Sequence, residues 1–199
     1  MKTTIKTVAL LLIAGSTQLF TGCSNNPNNG VYSKEMQTKI DSMQAVLKTI
    51  AYGNATLAKN LMTFDTLDYT VFSNQDWVRL HESHSKDIIV DWPDGHHTNG
   101  IEKHIEDLKA MFVYAPDTRI KQHPIRIGSS TGEWTCVMGV MEGTFSKPMP
   151  IGNGKFIQPT GKSFTLPMCT IGHWKDGLMI EEWLFWDNQT YMAQIGLGK

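Results

Sequence analysis

The sequence predicts one α+β domain whose strands form an antiparallel sheet. Helical patterns come first along the chain and strand patterns follow, and this separation is typical of α+β folds. The chain has 199 residues, of which 41% are hydrophobic and 19% charged, so it can bury one core of ordinary size. The formal net charge is -1, from 18 basic and 19 acidic side chains, and this balance argues against a nucleic-acid partner.

The first segment has the pattern of an export signal. Two lysines precede the apolar stretch from Val8 to Ala14, which is too short to span a membrane. The segment ends in Leu19-Phe20-Thr21-Gly22-Cys23, which resembles the lipobox of bacterial lipoproteins. That resemblance implies a signal peptide over residues 1–22, a lipid on Cys23 and a location at the bacterial cell envelope, in the periplasm or at the outer membrane. A plain signal peptide with an incidental cysteine is the alternative.

The residues after Cys23 are polar turn-formers, so we predict a flexible tether over residues 23–32. An apolar residue then recurs at helical spacing, which predicts an amphipathic helix over residues 33–54, added before the main domain. The main domain is expected over residues 55–199. It begins with a helix over 55–72, and a short helix that carries His84 follows it.

The rest of the main domain is predicted to be mostly strand. Residues 88–92 form a short strand, Pro93-Asp94-Gly95 makes a turn, and a small return strand ends near residue 99. The spacing of apolar residues predicts a helix over 101–113. Longer strands are predicted over 118–127, 133–145, 162–174 and 178–187, and a short helix closes the chain.

Cys136 and Cys169 fall in two of these strands, at positions that are symmetric about the connecting loop. A disulfide between the strands is one interpretation, since an exported protein can form it. Two buried free thiols are the interpretation that we prefer, because cysteine is often simply a core residue.

Several short strings occur in a particular order along the second half of the chain. They are Trp92-Pro93-Asp94-Gly95 with Gly100, Gly143-Thr144-Phe145, Pro159-Thr160-Gly161-Lys162, Trp174-Lys175-Asp176-Gly177, Glu181-Glu182-Trp183 and Gln194-Ile195-Gly196-Leu197. Together they resemble the SnoaL-like polyketide cyclase group of the nuclear transport factor 2-like superfamily, over about residues 55–198. The resemblance implies a cone-shaped, strongly curved antiparallel sheet packed on about three helices and enclosing a cavity.

The resemblance also implies where catalytic residues would lie. Cyclases of this family use an aspartate as base and a nearby histidine. Here the matching aspartate position is Leu184, and the matching histidine positions are Glu182 and Phe145. Because the family machinery is absent there, we predict a domain that binds a small hydrophobic molecule in the cone cavity, with no assigned activity.

Glu182 supports an alternative function. Alternate residues of a strand share a face, so Ile180, Glu182 and Leu184 are expected to face the cavity together with Trp186. Desolvation there would raise the pKa of Glu182 and suit a general base of a cyclase, isomerase or dehydratase. Pairing of Glu182 with a basic residue, or contact with solvent at the mouth, stays open.

We expect the remaining cavity residues among aromatic, polar and apolar side chains near the predicted cone. They are Tyr69, His84, Asp91, Trp92, His104, Trp134, Phe145, Leu184 and Trp186. The chain has no His-Glu-x-x-His motif, and we predict no metal and no other cofactor. Trp183 should lie on the opposite sheet face, where it would support a homodimer. A structural lipoprotein whose first helix docks on a partner is the third hypothesis.

Overall fold

The computed structural model describes residues 33–198, so the predicted signal peptide, the tether and Cys23 lie outside the described residues. The chain divides into two compact units, Met1–Lys39 and Ile40–Lys199. The described part of the first unit is the start of helix α1, where Lys39 Nζ pairs with Glu35 at 2.6 Å. Within residues 33–198, no helix combines the length and the apolar character that a membrane span requires.

The second unit has the predicted α+β fold. Its helices are α1 (Lys34–Thr66, which begins in the first unit), α2 (Ile101–Tyr114) and α3 (Asn188–Gln194), with a π-helical segment at Leu67–Phe72 and a 3₁₀ helix at Trp77–Glu82. The strands are β1 (His84–Asp91), β2 (His97–Asn99), β3 (Arg119–Ile120), β4 (Ile125–Gly128), β5 (Trp134–Thr144), β6 (Met149–Pro150), β7 (Phe156–Ile157), β8 (Ser163–Lys175) and β9 (Leu178–Trp186).

The main sheet is curved and mostly antiparallel, with the order β2-β1-β9-β8-β5-β3, and β4 pairs with β5 on the same side as β3. The exception is the β1–β9 pair, which is parallel. Strands β6 and β7 form a separate two-stranded sheet that the sequence analysis missed. The core lies between one face of the main sheet and the helices, where Ile88, Val90 and Phe64 are almost completely buried.

Two predicted elements end or begin elsewhere. His84 is the first residue of β1, not part of the preceding helix, because the 3₁₀ helix stops at Glu82. The strand predicted over 118–127 is divided into β3 and β4. Pro124 lies between them, and its ring nitrogen has no hydrogen to donate to a strand ladder.

Helix α1 is continuous where two helices were predicted, and it runs through residue 55, where we expected the main domain to begin. The boundary was expected between residues 54 and 55, next to Gly53-Asn54, and both of these residues weaken isolated helices. Gly53 has a packing role in the continuous helix. A Cβ at this position would lie 1.9 Å from the carbonyl oxygen of Ser130, so glycine allows α1 to pack against the β4–β5 turn. Asn60 reinforces the contact, because its Nδ2 donates to Gly132 O at 2.9 Å.

Strand β9 contains an extra residue that changes which side chains face inward. Its register on β8 pairs Glu181 with His173 and Met179 with Trp174, so Ile180 has no partner and forms a bulge. Met179 is fully buried, whereas Ile180, which we expected to face the cavity, is only half-buried. The bulge therefore lets Met179 and Glu182, three residues apart, both point inward.

The close approach at Gly53 predicts that replacing this glycine lowers the free energy of unfolding. Gly53→Ala improves helix propensity by about 1 kcal/mol but overlaps a backbone oxygen, so we expect a net loss of about 1–3 kcal/mol in the free energy of unfolding. Asn54→Ala, one residue along the same helix and exposed, is the matched control and should be neutral or slightly stabilising. Urea denaturation measures both, and a stabilised Gly53→Ala variant would contradict the packing.

Candidate functional site

A small cavity lies between the helices and the inner face of the main sheet, and we call it the inner cavity. Its volume is about 40 Å³, which holds one or two water molecules. Its polar side chains are Asp68, His84, His104, Thr170 and Glu182. The remaining wall is apolar, formed by Leu67, Phe72, Leu80, Trp92, Leu108, Met111, Ile120, Met141, Met168, Leu184 and Trp186.

A larger cavity of about 390 Å³, the outer cavity, adjoins it. The two cavities share four lining residues, Trp92, Met111, Met141 and Trp186. The outer cavity falls in the size range of small-molecule sites, and the inner cavity does not.

Glu182 lies in the inner cavity between two imidazoles. Its Oε2 is 3.6 Å from Nε2 of His84 and 3.4 Å from Nε2 of His104. The exposed fractions of the three side chains are 6%, 1% and 2% respectively. Within residues 33–198, the buried side-chain atoms without a hydrogen-bond partner are His84 Nε2, His104 Nδ1 and Glu182 Oε2. Buried polar groups nearly always have a partner, so these three atoms need one from a water molecule or another group in the inner cavity.

Three separate elements bring this cluster together. His84 begins β1, His104 lies in the first turns of α2, and Glu182 follows the bulge of β9. Helix α2 can start abruptly because Gly100 before it has φ +87°, a conformation that glycine adopts without strain. The ring of Trp92 packs at 5.7 Å from the ring of His104 and closes this side of the cavity.

His84 has hydrogen-bonding groups near both of its ring nitrogens. Ser83 Oγ lies 3.1 Å from Leu80 O and 2.9 Å from His84 Nδ1, and its single hydrogen can be donated to only one of them. The contact between His84 Nε2 and Glu182 is favourable only when a hydrogen lies on one of these two groups.

The charges of the cluster differ from the sequence-based expectation. Burial raises the pKa of Glu182, but His84 and His104 outweigh burial and hold that pKa below its ordinary value. Our expectation of a raised pKa is therefore wrong, because it considered desolvation without the two imidazoles. Burial lowers the pKa of His104 from 6.5 to about 4. At neutral pH Glu182 is a carboxylate, and His104 is uncharged.

A second polar cluster reaches the inner cavity through Asp68. Asp68 Oδ2 lies 2.7 Å from His123 Nε2, and Asp65 Oδ1 lies 2.8 Å from His123 Nδ1. Arg126 pairs with the other oxygen of Asp65, and the ring of Tyr69 stacks on His123. Burial raises the pKa of Asp68, although His123 opposes it. Desolvation lowers the pKa of His123, but its two carboxylates outweigh that and raise it.

The structure places six of the residues that we predicted for the site around the inner cavity. They are His84, Trp92, His104, Glu182, Leu184 and Trp186. Strand alternation and the turn after β1 account for these positions, so the sequence held the signal for them.

Four other predicted residues lie elsewhere. Asp91 follows the inward-facing Val90 on β1, so it points away from the cavity and pairs with His97. Trp134 is exposed at the start of β5, because its neighbour Thr135 takes the inward position. Phe145 is fully buried beside Tyr114, beyond the cavity wall. Tyr69 is partly exposed, because one helical step turns it away from Asp68.

The outer face of the sheet carries the aromatic residues that suggested a dimer. Trp134 stacks on His173 with ring centroids 4.2 Å apart, and its centroid lies 5.7 Å from that of Trp183. The homodimer itself stays a prediction. Cys136 and Cys169 lie on this face as half-buried free thiols with their sulfurs 3.4 Å apart. Burial raises the pKa of Cys169 to about 11.

Sequence reasoning missed the functional potential of Asp68 and His123. We predicted a helix over 55–72 and gave neither Asp68 nor His123 a role in the site. The two residues are 55 positions apart, so no local motif joins them. The available signal was an aspartate within an otherwise apolar stripe, which is unusual in a core.

The His84, His104 and Glu182 side chains also offer a group of metal-ligand atoms within 4.8 Å of one another.

Comparisons with known proteins agree on one family and fold. A family model described as SnoaL-like polyketide cyclase matches residues 65–195. No curated protein matches the chain. A candidate SnoaL-like polyketide cyclase from Jannaschia sp. CCS1 has a similar structure, with a TM-score of 0.61 and 20% identity over 71% of this chain and 94% of that one.

Two further solved structures are similar. IdmH, a candidate polyketide cyclase from Streptomyces antibioticus, has a TM-score of 0.57 and 23% identity over 69% of this chain and 98% of its own. A candidate polyketide cyclase from Xanthomonas campestris pv. campestris has a TM-score of 0.61 and 16% identity over 71% of this chain and 99% of its own. At these identities the likeness establishes the fold.

The buried, uncharged state of His104 predicts a pH-dependent stability. Its pKa is about 4 in the folded protein, compared with 6.5 for an unperturbed histidine. The unfolded chain therefore binds more protons between these values, and stability is complete above pH 6.5 and falls as pH decreases toward 4. The loss should approach about 3 kcal/mol. Glu182, whose pKa is lowered, contributes its own loss only below pH 4.5.

Urea denaturation between pH 4.5 and 7.5 tests this assignment. His104→Gln should flatten most of the decrease, because the variant has no imidazole to protonate at this position. His81→Gln, which removes an exposed histidine, is the control and should keep the wild-type slope. An unchanged slope in His104→Gln would refute the role of His104.

Proposed function

Because this chain belongs to the SnoaL-like polyketide cyclase family, we propose that it is an enzyme that binds a small, largely apolar carbonyl compound and removes a proton from it. Glu182 is the base. The observation that carries this proposal is a buried carboxylate at the inner end of an apolar cavity, within 3.6 Å of two imidazoles.

The composition of the cavity favours an enzyme over a passive binding protein. A pocket that only bound an apolar molecule would gain from an entirely apolar wall. Burying an ionised carboxylate instead costs several kcal/mol that its partners must offset. The inner cavity contains Glu182 and Asp68 together with two histidines. A cavity without buried ionisable groups would instead favour a protein that binds its ligand without catalysis.

In this proposal the outer cavity binds the ligand, and the reaction takes place in the inner cavity. The outer cavity of about 390 Å³ accommodates the body of the ligand. The inner cavity of about 40 Å³ admits only the reacting carbon and its carbonyl. Met111 and Met141 belong to the shared wall, and methionine side chains adapt readily to a new neighbour.

The proton transfer follows from the charges. Glu182 is ionised at neutral pH, so it can accept a proton without first losing one. Its lowered pKa makes it a modest base, which suits a carbon already acidified by an adjacent carbonyl. His104 is uncharged at neutral pH, because its pKa is about 4. The products of such a step include cyclised, isomerised or dehydrated compounds.

Glu182→Gln tests the base with little change in shape. We expect the variant to catalyse exchange of the α-hydrogens of 2-tetralone with D2O about 10²–10⁴ times more slowly than the wild type, as proton nuclear magnetic resonance measures it. The matched control is Glu181→Gln, because Glu181 is the adjacent strand residue, is partly exposed and pairs with His173. If Glu182→Gln exchanged hydrogens at the wild-type rate, or if Glu181→Gln lost as much of the exchange rate as Glu182→Gln, Glu182 would be rejected as the base.

We also propose that the mature protein is anchored at the bacterial cell envelope through a lipid on Cys23. The support is the string Leu19-Phe20-Thr21-Gly22-Cys23 behind a short apolar stretch. A single acyl chain holds a protein only weakly at a bilayer, so stable anchoring would need more than one chain.

Metabolic labelling with an alkyne fatty acid tests the anchor. Cys23→Ser should take up no label and should accumulate as the uncleaved precursor in a bacterial host. Cys136→Ser is the control, and it should be labelled and processed like the wild type. Normal labelling of Cys23→Ser would exclude this anchor.

A further inference from the structure

We propose that Asp68 is a second catalytic group of the inner cavity, the acid that protonates the substrate oxygen while Glu182 removes the carbon-bound proton. This inference rests on the proposed function and narrows its substrate class. A base alone would act on any acidified carbon. A base together with an acid selects an enolisable ketone or aldehyde.

The first argument is position. Asp68 and Glu182 both line the inner cavity, and they come from different elements, the π-helical segment and β9. Their charges are close enough to affect each other. A carbonyl group in this small space therefore has a carboxyl group available for its oxygen and another for its neighbouring carbon.

The second argument is the count of hydrogens on the His123 contacts. Both ring nitrogens lie within 2.8 Å of a carboxylate oxygen, Nε2 at Asp68 and Nδ1 at Asp65. Each contact requires one hydrogen, and ionised carboxylates have none to donate. A neutral imidazole supplies one hydrogen, so a second must lie on the ring or on a carboxyl. The Asp65–His123–Asp68 group therefore holds one hydrogen more than a neutral imidazole between two carboxylates would, and Asp68 brings this group to the cavity wall.

The two carboxyl groups of the cavity thus have opposite environments. Glu182 faces imidazoles that keep it ionised, and the pKa of Asp68 is raised because burial outweighs its contact with His123. Two carboxyl groups whose pKa values are driven apart are the usual basis for assigning a base and an acid.

The step balances in protons and electrons. Glu182 takes the proton of the α-carbon, and the electron pair of the broken C–H bond forms a carbon–carbon double bond. The π electrons of the carbonyl move to its oxygen, which takes the proton of the Asp68–His123 pair. The product of this step is the enol, with Glu182 neutral and the pair one proton poorer.

The pair also has a connection to the surface. The side chain of His123 is 1% exposed, that of Asp65 is 27% exposed, and that of Arg126 is 42% exposed. A proton can therefore return to Asp68 from solvent through the imidazole ring of His123. The inner cavity does not have to open to water for that return.

Asp68→Asn tests the acid in the 2-tetralone exchange assay. We expect kcat/KM to fall about 100-fold, because the amide cannot supply a proton. The wild-type rate should also decrease at high pH as the pair loses its proton, and the variant should lack this decrease. The titratable and charged groups around the pair are Glu182, His84, Asp65, Tyr69 and Arg126. Asp87→Asn, an exposed aspartate on β1, is the control and should behave as the wild type.

The outcomes separate the two proposals. Wild-type exchange and an unchanged pH profile in Asp68→Asn, together with loss in Glu182→Gln, would overturn the role of Asp68 and leave the base in place. No catalysis by the wild type, or no loss in either variant, would overturn the proposed function itself.

A measurement on the wild type keeps the inference falsifiable if Asp68→Asn does not fold. Carbon-13 resonances of the Asp68 carboxyl and the His123 ring report where the proton lies as pH changes. We expect the pair to retain a proton at pH 7. An ionised Asp68 beside a neutral His123 at pH 7 would overturn the proposal.

Discussion

A carboxylate that loses its contact with water must be compensated by the protein, and the centre of this domain is arranged around that requirement. Glu182 is compensated by His84 and His104, which lie within 3.6 Å of it. These residues come from β9, β1 and α2, so the cluster forms only when the three elements are in their final positions. The parallel pairing of β1 with β9, with His84 opposite Met179, is what brings the first imidazole to Glu182.

Much of this fold could be predicted from the sequence because local patterns and the native packing agree. The strands β5 and β8 alternate buried and exposed residues as expected, and the ends of β5, β8 and β9 differ from prediction by at most one residue. The errors occur where tertiary contacts override local preference. Gly53 weakens an isolated helix, but here it permits a close approach of α1 to the β4–β5 turn. The parallel neighbour of β1 had no local signal.

The candidate site was also predictable only in part. Glu182 was identifiable because strand alternation and the family resemblance pointed to the same face. The direction of its pKa was not predictable, since that depends on two imidazoles contributed by distant segments. Asp68 and His123 are distant in the sequence, and only the folded chain brings them into contact. The bulge at Ile180 changes which residues of β9 face inward, and a strict two-residue period does not predict such a change.

The wall between the two cavities has a kinetic consequence. Trp92, Met111, Met141 and Trp186 line both spaces, so under the proposed function a molecule that approaches Glu182 from the outer cavity passes these side chains. Association would then be governed by how often these side chains rotate, and tight-fitting guests would enter and leave slowly whatever their equilibrium affinity. Discrimination among compounds would come from residence time and passage, and a smaller residue at Met111 or Met141 would broaden the range of guests.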